Sequence, residues 1–147
     1  MFTGEYRHNL DNKGRVILPI HLRQTDKNNS SFVMTVGLDH CIAVYPQDIW
    51  EHNIQNELNQ LDWNDPSGRI LQRQMYANAT QSEPDRQGRI FIPQSLRQYA
   101  GIQRDVIIIG MNRNIEIWDK QRWEDHSAGA QQLLAEHASK LASYKKA

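Results

Sequence analysis

One segment occurs twice in this chain: DNKGRVILPIHLR at 11–23 returns as DRQGRIFIPQSLR at 85–97, with Asp, Gly, Arg, Pro, Leu and Arg in register. The likeness continues with one residue of slippage, because VMTVG at 33–37 parallels IIIGM around Gly110, and IAVYPQDIWE at 42–51 parallels IEIWDKQRWE at 115–124. A repeated unit of this size is one supersecondary motif that cannot bury its apolar face alone, so the copies must pack together. At 147 residues the chain holds one ordinary core or two small, mutually dependent ones. The slip falls at a connection. In the first copy this is the polar TDKNNSS of 25–31; in the second it is QYAGIQRD, where Gly101 is placed to end a short helix.

Each copy predicts the same order of elements. A lead strand (Phe2 to Asn9, or Asn78 to Glu83) runs into D-x-x-G, read as a hairpin turn in which Asp accepts backbone N–H bonds and Gly14 or Gly88 supplies a positive φ. A second strand follows (Arg15 to Leu18, or Arg89 to Ile92), and Pro19 and Pro93 are expected at the first position of helices ending near Arg23 and Arg97. Two more strands close each copy, Phe32 to Val36 with Cys41 to Tyr45, and Val106 to Ile109 with Ile115 to Trp118, through tight connections holding Gly37, Asp39, Gly110 and Asn112. Outside the repeat, Trp50, Ile54, Leu58 and Leu61 fall at helical spacing, as do Ile70, Leu71 and Met75, and then Leu133, Leu134, Ala138, Leu141 and Tyr144. These helical stretches are expected to pack on the modules. The expected class is α+β, divided as a first module at 1–51, a helical connection at 52–76, a second module at 77–124 and a C-terminal helix at 125–147.

Charge is informative through its distribution. Lys and Arg total 17 against 17 Asp and Glu. Yet Arg7, Lys13, Arg15 and Arg23 face only Glu5 and Asp11 in the first 25 residues, and Arg86, Arg89, Arg97 and Arg104 face only Asp85 across 85–104. Between His40 and Gly68 there is no Lys or Arg, while Asp48, Glu51, Glu57, Asp62 and Asp65 all lie there, as a solvated acidic face. A mean hydropathy of -0.73, with no apolar run near the roughly 20 residues of a membrane span, argues against a membrane protein. The opening MFTGEYRHNL lacks the order of a signal peptide, and one cysteine, Cys41, fits a reducing compartment; a cytoplasmic location is expected.

Catalytic motifs are missing from the sequence: there is no Walker A loop, no G-x-G-x-x-G and no G-x-S-x-G. Asp39, His40 and Cys41 are adjacent but lack a partner at metal-ligand spacing, so a turn His and a buried Cys are expected in place of a metal site. Trp50, Trp63, Trp118 and Trp123 are expected in the core and not as base-stacking groups. An enzyme, a metal and a cofactor are therefore not expected.

The chemistry that remains is in the two D-x-x-x-R turns. Residues at the ends of a tight turn are neighbours, so Asp11 can orient the guanidinium of Arg15, and Asp85 that of Arg89. An oriented Arg fork matches O6 and N7 of guanine in the major groove of duplex DNA, a contact worth roughly 1 to 3 kcal/mol of discrimination. Lys13, Arg86, Arg7 and Arg23 are then candidates for phosphate contacts, which position without reading sequence. Asp11, Gly14, Asp85 and Gly88 hold the turns.

The opening MFTGEYRHNLDNKGRVILP, the second DRQGRIFIP, and EIWD followed by Trp123 resemble the MraZ family over nearly the whole chain. That resemblance implies a double-split β-barrel built of two AbrB-like modules, ring-shaped homo-oligomers and association with the nucleoid. It also implies control of the division and cell-wall gene cluster through short direct repeats in a promoter. The second copy departs from the first: Lys13 is matched by Gln87, and Arg86 by Asn12. A different class is an antitoxin-type interaction module, with residues 127–147 as a toxin-binding tail. A purely architectural ring is the third, and it would not need basic loops.

Overall fold

A computed structural model describes residues 1–23 and 31–145, the last two without side chains. The polar connection expected at 25–31 therefore falls, except for Ser31, outside the described residues, as does the side chain of Tyr144. Eight strands are described: β1 (Glu5–Asn9), β2 (Arg15–Ile17), β3 (Phe32–Val36), β4 (Ile42–Pro46), β5 (Thr80–Ser82), β6 (Arg89–Phe91), β7 (Asp105–Gly110) and β8 (Ile115–Asp119). Helices are α1 (Ile20–Arg23), α2 (Gln47–Ile49) continued through a π-helical stretch (Trp50–Ile54) into α3 (Gln55–Asn59), then α4 (Pro66–Ala77), α5 (Gln94–Ala100), α6 (Lys120–Gln132) and α7 (Leu134–Lys145).

The strands pair across the repeat. Six of them form one antiparallel sheet in the order β1-β7-β8-β4-β3-β5, and β2 pairs with β6 in a separate ribbon. Each copy thus gives its lead strand to the other: β1 lies on β7, with Arg7 opposite Ile107, and β5 lies on β3, with Gln81 opposite Val33. This corrects the expected hairpin. The D-x-x-G turns do close locally, but the strands they join diverge, because a lone two-stranded hairpin is marginal in water. Pairing with the other copy lets β2 and β6 bury Val16 against Ile90. The sheet is open, with β1 and β5 at its edges.

Smaller differences have local causes. Strand β5 is shorter than expected because Asn78 still caps α4 and Pro84 cannot donate to a ladder. Proline 93 (Pro93) is the N-cap and not the first helical residue; its carbonyl accepts from Leu96 and Arg97, as that of Pro19 accepts from Leu22. Helix α5 runs past Arg97 to Ala100, where Gly101 at φ 68 ends it.

The main core lies between the sheet and the ribbon, and includes Leu18, Leu22, Phe32, Met34, Val44, Ile92, Leu96, Ile108, Ile115 and Ile117. Trp50, Ile54 and Leu58 are buried on the α2–α3 helix, and Leu61 packs beside them, at the spacing the sequence predicts. Thr35 is fully buried and donates from Oγ1 to the Met75 carbonyl at 2.7 Å, tying α4 to β3. On the opposite face Cys41, Ile107, Ile109 and Trp118 form a second cluster with Trp123 of α6 against it. Trp63 is exposed, contrary to expectation, with the Arg73 guanidinium 5.5 Å over its ring. The leucines of the tail do not pack on the modules as expected. Its helix starts at Lys120, capped by the Asp119 side chain on the Arg122 amide, and touches the sheet through Trp123; Leu133, Leu134 and Leu141 are all exposed.

Candidate functional site

The two D-x-x-G-R segments fold into matching turns. In the first, Asp11 N–H donates to the Arg15 carbonyl at 2.9 Å and Gly14 N–H to the Asp11 carbonyl at 3.1 Å; in the second, Asp85 and Gly88 do the same at 2.9 Å each. Gly14 and Gly88 have φ of 78° and 79°, a region costly to residues with a Cβ. Each aspartate holds its turn from inside. Asp11 Oδ1 accepts from the Lys13 and Arg15 amides at 2.9 Å, and Oδ2 from Arg15 Nε at 2.8 Å. Asp85 repeats this with Gln87, Arg89 and Arg89 Nε at the same distances. The Arg15 backbone amide leads in holding the Asp11 carboxyl below the usual carboxylate range, and the Arg89 amide does so for Asp85.

The pairing expected of Asp11 with Arg15 and Asp85 with Arg89 is present. It uses one edge of each guanidinium. Nη1 and Nη2 of both arginines have no partner among the described residues, so a bidentate face remains available. The turns are also locked to one another, since Leu18 N–H donates to the Gly88 carbonyl and Ile92 N–H to the Gly14 carbonyl, both at 2.9 Å.

Strand alternation then sets the outward face of the β2–β6 ribbon. Val16 and Ile90 point inward; Arg15, Ile17, Arg89 and Phe91 share the other face, with Arg15 opposite Phe91 and Ile17 opposite Arg89. Ile17 is 43% exposed and Phe91 51%, high for such side chains flanked by partly exposed arginines. Sequence reasoning singled out neither. Their signal was the two-residue period of RVI and RIF, overlooked because β2 was read as a partner of β1.

The basic residues distribute unevenly. Lys13 and Arg86 are exposed in the turns beside the arginines. Arg7 is exposed too, but away from the turns: it lies in β1 and lines a separate open cavity with His8, Asn9, Asp105, Val106 and Lys120. Arg23 is committed to the fold, donating from Nε to the Leu18 carbonyl at 2.6 Å while its guanidinium covers Gly88 of the other copy. Arg97 covers Gly14 in the same reciprocal way, 3.1 Å from where a Cβ would stand.

Elsewhere, Asp48, Glu51, Glu57, Asp62 and Asp65 are exposed, as expected of a solvated face. Cys41 is buried; burial first, then Glu116, pushes its thiol well above the ordinary cysteine range. Among the described residues no group of His, Cys, Asp or Glu is placed to hold a metal ion, and no helix is long and apolar enough to cross a membrane.

Comparison with known proteins matches the family described as "MraZ protein, putative antitoxin-like" twice, at residues 1–74 and 75–144. A protein of Lachnoclostridium phytofermentans named Transcriptional regulator MraZ is 45% identical over 96% of this chain and 97% of its own. Relatives of the same name from Acetivibrio thermocellus and Pediococcus pentosaceus are 42% identical over 97% of each chain and 44% identical over 85% of each.

Proposed function

Because this chain belongs to the MraZ family, we propose that it is a transcriptional regulator that binds duplex DNA through its two D-x-x-x-R turns. One observation carries the proposal: the Arg15 and Arg89 guanidiniums are each held by an aspartate through Nε, at diagonal corners of one ribbon face, and their outer N–H groups have no partner among the described residues. A two-stranded ribbon fits the major groove, where each fork can bond O6 and N7 of a guanine. Lys13 and Arg86 contact the flanking phosphates; Arg7 sits too far along β1 to serve the same turn and reaches a more distant phosphate. The targets are short direct repeats in the promoter of the division and cell-wall gene cluster, and the protein acts in the cytoplasm, on the nucleoid.

Assembly completes this function. Ile70 at 62%, Leu134 at 69% and Leu141 at 63% exposure are apolar surface that one chain leaves uncovered. A ring of copies would cover it and present many turns to repeated boxes, so that weak contacts add through effective concentration. We read the open sheet and the ribbon together as a double-split barrel joining two AbrB-like modules, 1–51 and 77–124, with 52–76 and 125–147 as helical additions. The uncovered face of α7 also favours a second reading, in which residues 127–147 bind a protein partner as an antitoxin tail does.

A mobility shift on the protein's own upstream region in rising salt separates these. DNA binding should weaken steeply, because each neutralised phosphate adds about -0.9 to the log-log slope. A flat response, or no shift, removes the DNA reading and leaves the tail.

A further inference from the structure

Beside the first turn lies an open cavity that base reading by Arg15 does not use, lined by Leu10, Asp11, Asn12, Arg97, Gln103 and Arg104. One wall is the first repeat's turn; the other is the end of α5 and the loop into β7. Two backbone bonds fix that second wall. Ile102 N–H donates to the Arg97 carbonyl at 2.9 Å, and Leu10 N–H donates to the Arg104 carbonyl at 2.8 Å, pinning the loop to the residue before Asp11. Two guanidiniums of the second repeat are thereby brought to the turn of the first.

Among the described residues Arg97 and Arg104 enter no ion pair, and Arg97 Nε is shielded from water yet donates to nothing. The chain therefore leaves the charge of both guanidiniums uncompensated beside the open space. Asp11, the acid in the lining, is already taken by the Lys13 and Arg15 amides and by Arg15 Nε. The cavity, about 430 Å³, is far roomier than the ~30 Å³ of a water molecule, and it offers two planar cationic forks with two neutral amides, Asn12 and Gln103. That combination suits a tetrahedral oxyanion.

We propose that this cavity seats one backbone phosphate of the bound duplex, clamped by Arg97 and Arg104. The inference rests on the DNA-binding reading and deepens it: the fork that reads a base comes from one repeat, and the clamp that sets its register from the other. At the second turn the corresponding guanidinium, that of Arg23, is tied through Nε to the Leu18 carbonyl, a bond that Arg97 Nε does not make. The surroundings of the two turns therefore differ.

The test uses full-length protein on its own upstream fragment and on a shuffled fragment. Arg104 is exposed and its side chain enters no ion pair among the described residues, so Arg104→Ala should leave the fold intact; Arg97→Lys is the second variant, since Arg97 also covers Gly14. Arg104→Ala should weaken both fragments by the same factor and make the log-log salt slope shallower by about 0.9. Methylphosphonates introduced singly into the upstream fragment should reveal one position that weakens the unmodified protein but not Arg104→Ala. An unchanged slope, a changed preference between fragments, or a change in sedimentation would each overturn the seat while the unmodified protein still binds DNA. Loss of salt-dependent binding in the unmodified protein would instead remove the parent reading, and the seat with it.

Discussion

Alanine at Gly88 puts a methyl group where the Arg23 guanidinium already lies, and alanine at Gly14 puts one 3.1 Å from Arg97 Cζ. Both glycines share a positive φ, 79° and 78°, so both substitutions carry a backbone cost of roughly 1 to 2 kcal/mol. What differs is the arginine. Arg23 must leave, and it loses its partly buried 2.6 Å bond to the Leu18 carbonyl, worth about 1.5 to 3 kcal/mol for a charged donor. Arg97 Nε has no such bond to lose. Gly88→Ala should therefore destabilise the fold by about 2.5 to 5 kcal/mol and Gly14→Ala by only about 1 to 2. Urea unfolding at one fixed protein concentration measures both, since assembly contributes to apparent stability. In an Arg23→Ala background the Gly88→Ala cost should fall to the Gly14 level. Equal costs for the two glycines would refute the weight given to the Arg23–Leu18 bond, and a Gly88 cost indifferent to Arg23 would refute the covering of Gly88 by Arg23.

Thr35→Val removes the donor to the Met75 carbonyl and should cost about 1 to 3 kcal/mol by the same urea assay; a neutral result would mean α4 is held by packing alone. The Cys41 thiol, buried and raised in pKa, should resist alkylation at mildly alkaline pH until denaturant is added, and prompt labelling of native protein would contradict its placement. The depressed Asp11 and Asp85 carboxyls contribute stability that is complete above the ordinary value of 3.8 and fades as pH falls through their lower folded values. Carboxyl titration by NMR should accordingly find both below 3.8, and ordinary values would mean the Asp–Arg turns are not formed in solution.

The sequence was most readable where a local rule sufficed. D-x-x-G-R told of the turn, its glycine and its Asp–Arg pair, because a five-residue turn closes on itself. The α2–α3 helix was legible through Trp50, Ile54 and Leu58. The exchange of lead strands was not, because pairing β1 with β7 is a non-local choice between two antiparallel partners that the pattern of EYRHN fits equally. The site suffered with it: once β2 is taken from β1 and given to β6, Ile17 and Phe91 join the arginine face, Arg7 leaves it, and Arg97 arrives from the other repeat. Leu134 and Leu141 had the spacing of a packing helix, but period alone does not say what, if anything, covers that face, and in the fold both are exposed.

Under the proposed function Arg15 reads a base and is not only the turn's own brace. This role is tested by measuring affinity of Arg15→Ala for the upstream repeats and for shuffled DNA, beside Lys13→Ala, with thermal melting and sedimentation of each variant as controls. Arg15→Ala should lose roughly 1 to 3 kcal/mol per engaged guanine and its preference for the repeats, whereas Lys13→Ala should weaken both DNAs alike. An Arg15→Ala protein that keeps its assembly and its full preference for the repeats would contradict base reading by Arg15 and return that residue to the structure of the turn.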